Sequence, residues 1–74
     1  MEKLITFWTT SLALCKKYEH DYSVAVAFYH HAMGASLYAQ DLAFDKSDYN
    51  TCHTIENLWN NEWKAKFEEI LYNK

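Results

Sequence analysis

Reversals in β-rich folds are built on glycine and proline, and this chain of 74 residues has one Gly and no Pro. With so few turn formers, long helices joined by short polar turns are the architecture left open. Half of the residues are apolar and 18% are aromatic, which suits one compact core in one domain spanning residues 1–74. The expected fold class is all-α, a single-domain three-helix up-down-up bundle.

Residues 1–18 divide cleanly on a helical wheel. Leu4, Ile5, Phe7, Trp8, Ser11, Leu12, Leu14, Cys15 and Tyr18 fall on one half, and Lys16 and Lys17 lie at the carboxyl end, where the helix dipole favours them. Helix 1 is therefore expected over about 2–18. Asp21 or Ser23 can cap the next helix, expected over about 22–44. Asp45-Lys46-Ser47-Asp48 reads as a turn, and helix 3 follows over about 47–72 with Tyr49, Cys52, Glu56, Trp59, Trp63, Phe67 and Ile70 on its stripe.

Helix 2 is unusual because both of its sides are apolar. Phe28, His31, Ala35, Tyr38 and Leu42 mark one side, and Val26, Met33, Leu37 and Phe44 the other. Such a helix needs two roofs. The expectation is a homodimer, forming a larger helical assembly whose interface buries Val26, Met33, Leu37 and Phe44. Ala25, Ala32, Ala39 and Ala43 form a strip against which the tryptophans of helix 3 can interdigitate.

The 7 basic residues, all lysine, stand against 10 acidic ones for a formal charge of -3. Without the arginine fork, and with a repelling net field, nucleic acid is not an expected partner. No run approaches the roughly 20 apolar residues a membrane span requires, so no membrane is expected either. Leu12-Ala13-Leu14-Cys15 has the outline of a lipoprotein cleavage box, but Thr6, Thr9, Thr10 and Ser11 interrupt the apolar stretch before it. Cys15 and Cys52 are too few for a disulfide scaffold and form no CxxC pair, which points to reduced thiols in the cytoplasm.

Glu56 interrupts an apolar stripe, and His31 sits at a similar level on helix 2, so the two are expected to form a buried polar pair. His31, His53 and Glu56 are also the ligand types from which a metal or small-ligand site could be assembled. A further pattern, His30-x-x-x-Gly34-x-Ser36, is similar to the segment around the phosphorylated histidine of histidine-phosphotransfer domains. That likeness covers seven residues and implies His30 as phosphate acceptor, although Met33 stands where those domains usually place a phosphate-stabilising lysine. The preferred expectation is a small acidic cytosolic module for protein–protein interaction or regulation. It would have no catalytic residues and no cofactor, and its protein partner is unidentified. The alternative is the ligand- or metal-binding bundle.

Overall fold

A computed structural model describes residues 1–73, which form an elongated all-α bundle of 41 × 18 × 17 Å. Helix α1 covers Glu2–Lys17 and α2 covers Tyr22–Asp45. The third helix is one rod in three parts: α3 over Tyr49–Leu58, a π-helical turn over Trp59–Trp63, and α4 over Lys64–Tyr72. No helix among the described residues is long and apolar enough to cross a membrane.

Aspartates start the second and third helices. Asp21 accepts the Val24 N–H at 3.4 Å, and Asp48 accepts both the Thr51 N–H at 3.2 Å and the Thr51 hydroxyl at 2.7 Å. Ser47, just before the second cap, sits at φ 57, a left-handed conformation that lets the chain reverse within a few residues.

Helix α2 lies between the other two. Its buried residues, Ala25, Tyr29, Ala32, Ser36 and Ala43, recur at steps of three, four and seven, as the inward stripe of an amphipathic helix must. Small residues on this stripe admit a large neighbour: Trp8 of α1 is fully buried, and its indole reaches the Ala32 carbonyl. The rings of Trp59 and Trp63 then tilt against Trp8 with centroids 5.7 and 5.5 Å away. Large against small is thus realised, with Trp8 as the wedge that joins all three helices.

The inward stripe of the third helix differs from the expected one. Ile55, Trp59, Trp63, Phe67 and Leu71 are buried, spaced four residues apart throughout. In a regular α-helix a four-residue step advances about 40° around the axis, so this stripe would wind away from the core. The π turn, marked by the Lys64 N–H bonding to the Trp59 carbonyl, takes up one extra residue and turns Trp63 back inward.

That phase shift overturns the expected buried pair. Extrapolating a regular helix backward from Phe67 puts Glu56 within about 20° of the inward direction and Ile55 about 120° away, whereas the extra residue of the π turn brings Ile55 inside and leaves Glu56 exposed. His31 is exposed as well, on the α1 side of α2, with its ring edge-on to Phe28 at 6.1 Å. The two side chains are not a buried polar pair.

Much of the second roof over α2 comes from within the chain. Val26 and Met33 pack, partly buried, against the core, while Leu37 and Phe44 remain exposed. Gly34 also lacks the close neighbour that a mid-helix glycine suggests, since a Cβ placed there meets nothing within 4 Å.

Candidate functional site

Every histidine of the chain is exposed. Among the described residues no group of three or more His, Cys, Asp or Glu side chains is arranged to hold a metal ion, so His31, His53 and Glu56 are not gathered into one site. His31 lies on the outer side of the α1–α2 pair, and His53 is exposed on α3. His30 is in solvent beside Tyr29, with ring centroids 5.8 Å apart, and the space next to Gly34 one turn later is open. Met33 is half-buried against the core, so the phosphotransfer likeness finds no cation at that position.

The thiols are separate. Cys15 is buried against the core and its pKa is pushed up, first by burial and then by the nearby Glu19 carboxylate, so it is a poor nucleophile. Cys52 is half-buried on α3.

Polar chemistry concentrates at the end of the bundle that holds the α1–α2 turn. The Tyr29 hydroxyl bonds to the Glu68 carboxylate at 3.4 Å, and its pKa is raised by burial first and by Glu68 second. Nearby, the Tyr22 and Tyr72 hydroxyls lie 3.4 Å apart, and this hydrogen bond is the main reason the Tyr72 pKa is pushed up to about 12. On the α1–α4 side, a groove of about 540 Å³ has Leu12 and Ile70 among its lining, with Lys16, Lys66, Glu19 and Glu69 around them. Lys16 is engaged with Glu19 at 2.8 Å and Lys66 with Glu62 at 3.6 Å, so the groove's cations are already partnered. The two tyrosine bonds join α2 to α4, whereas both ion pairs are local, between residues three and four apart in the chain.

The conspicuous surface is apolar. Seven of the thirteen aromatic residues are exposed, together with Leu37 and Leu42. Tyr22 and Tyr72 pair with each other, and the other seven separate into two areas. Leu37, Phe44 and Tyr49 lie along the α2–α3 side, with Phe44 and Tyr49 edge-to-face at 5.5 Å, and Glu56 is on the same side of α3. Phe7, Tyr18, Tyr38 and Leu42 lie along the α1–α2 side, where Tyr18 stacks on Phe28 at 6.1 Å across the seam.

On the helical wheels Phe7 and Tyr18 fall on the apolar half of helix 1, and Tyr38 and Leu42 on one apolar side of helix 2. A missed signal was available, because the apolar half-wheel of helix 1 is wider than the stripe of roughly 100° that a core-facing helix needs. Its edges are uncovered, Phe7 and Tyr18 on one and Ile5 on the other.

No protein-family model matches this chain, and comparison with curated proteins and with solved structures finds no match. The residues define a class only, a small three-helix bundle with an aromatic exterior.

Proposed function

We propose that the chain is a small helical interaction module without catalytic activity, working as a homodimer and presenting an aromatic surface to a protein partner. One observation carries this reading. Side chains that a bundle of this size would bury if it could, seven of the thirteen aromatics among them, stand on the outside, and Tyr38 is 66% exposed. Tyrosine and phenylalanine displayed in this way are the anchors on which protein interfaces concentrate their binding energy.

The two free thiols suit a reducing compartment, and the module is proposed to act in the cytoplasm. Static light scattering across a concentration series tests the homodimer. The expected mass at high concentration is twice 8.8 kDa, and a constant mass of 8.8 kDa would contradict self-association.

A further inference from the structure

The geometry points to one face as the self-association surface: the outer side of the α1–α2 pair, covered by the same face of a second copy. This rests on the reading above and specifies which surface is used and how the copies are arranged.

Phe7, Leu14 and Tyr18 share the outer edge of α1, and Phe28, Tyr38 and Leu42 share the matching edge of α2. Contacts fix the orientation of both edges. Tyr18 stacks on Phe28 across the seam, whereas Tyr29, on the other side of α2, packs on Trp59 and Phe67 of the third helix. The third helix therefore does not roof these six residues. Their exposed parts amount to about 400 Å² of apolar surface, the centre of a face of about 800 Å² per partner that a stable interface needs.

Charge selects the occupant. A chain of net charge -3 repels its own copy unless the contact surface is free of carboxylates. The arc holding these six residues contains no Asp, Glu or Lys, while the α2–α3 side carries Glu56 and Glu68.

The rim goes further, because α1 borders the face with Lys3 and Lys17 and α2 borders it with Asp41 and Asp45. A two-fold axis running along the bundle lays α1 of one copy across α2 of the other, antiparallel to it. Lys3 then comes level with the partner's Asp45. Both residues are exposed, and neither takes part in an ion pair among the described residues.

Sedimentation velocity on the full chain and its variants tests this. The wild type is expected to dimerise, Tyr38→Glu to be monomeric with unchanged helical circular dichroism, and Leu37→Glu to remain dimeric. Lys3→Glu should weaken the dimer about tenfold, and adding Asp45→Lys should restore it, which separates interfacial pairing from any effect on folding. A dimer broken by Leu37→Glu but indifferent to Tyr38→Glu and to the charge exchange would overturn this face and leave self-association standing. A monomeric wild type would overturn both.

Discussion

The indole N–H of Trp8 donates to the main-chain carbonyl of Ala32 at 3.0 Å, a buried hydrogen bond linking residues 24 apart. It satisfies the only polar atom of the largest fully buried side chain, and it is possible because Ala32 has no bulk to hold α1 away. Ser36, one turn later and also buried, accepts a bond from Gln40 at 3.1 Å, so its hydroxyl is satisfied as well.

Trp8 should accordingly dominate stability. Replacing it by Ala removes a ring that touches both Trp59 and Trp63, at a cost of about 3–5 kcal/mol. A domain of this length has about 4–11 kcal/mol in total, so Trp8→Ala should be largely unfolded or loosely packed at 25 °C. Trp8→Phe keeps a ring but loses the hydrogen bond and should cost about 2–3 kcal/mol, read from urea unfolding.

The π turn makes a sharper forecast. Deleting Asn60 removes the extra residue, letting the rod run as a plain α-helix with Ile55, Trp59, Trp63, Phe67 and Leu71 still near one face. This variant should fold cooperatively. Inserting one alanine after Asn61 turns Phe67 and Leu71 by about 100° and should abolish the cooperative thermal transition.

Gly34 is exposed in mid-helix with open space around it, so alanine there gains helix propensity without a clash. Gly34→Ala should stabilise the fold by about 0.5–1 kcal/mol, a rise in Tm of several degrees by circular dichroism.

Acid should weaken the start of α3. The Asp48 pKa is lowered by the Thr51 hydroxyl first and the Thr51 N–H second, so its contribution is present above the unfolded value of 3.8 and is lost as pH falls through the lowered folded value. Asp48→Asn, which caps without titrating, should flatten this part of the acid limb in unfolding measured between pH 2 and 6.

Periodicity made the three helices legible, and the aspartates at 21 and 48 marked where two of them begin. The inward phase of α3 was not legible, because a repeat of 3.6 cannot register one inserted residue. Glu56 and Ile55 exchanged roles for that reason alone. The exposed surface was half legible. Leu37 and Phe44 were expected to lie outside the single-chain core and do, but Val26 and Met33 are partly covered by the chain itself. Phe7, Tyr38 and Leu42 look like core on a wheel, and only the position of the third helix reveals that nothing within the chain covers them.

Backbone amide chemical shifts followed on serial dilution locate self-association directly. Shifts should move with concentration around Phe7, Leu14, Tyr18, Tyr38 and Leu42 while those along α4 stay fixed. Spectra unchanged by dilution in a chain that tumbles as one copy, or changes confined to the third helix, would contradict the account.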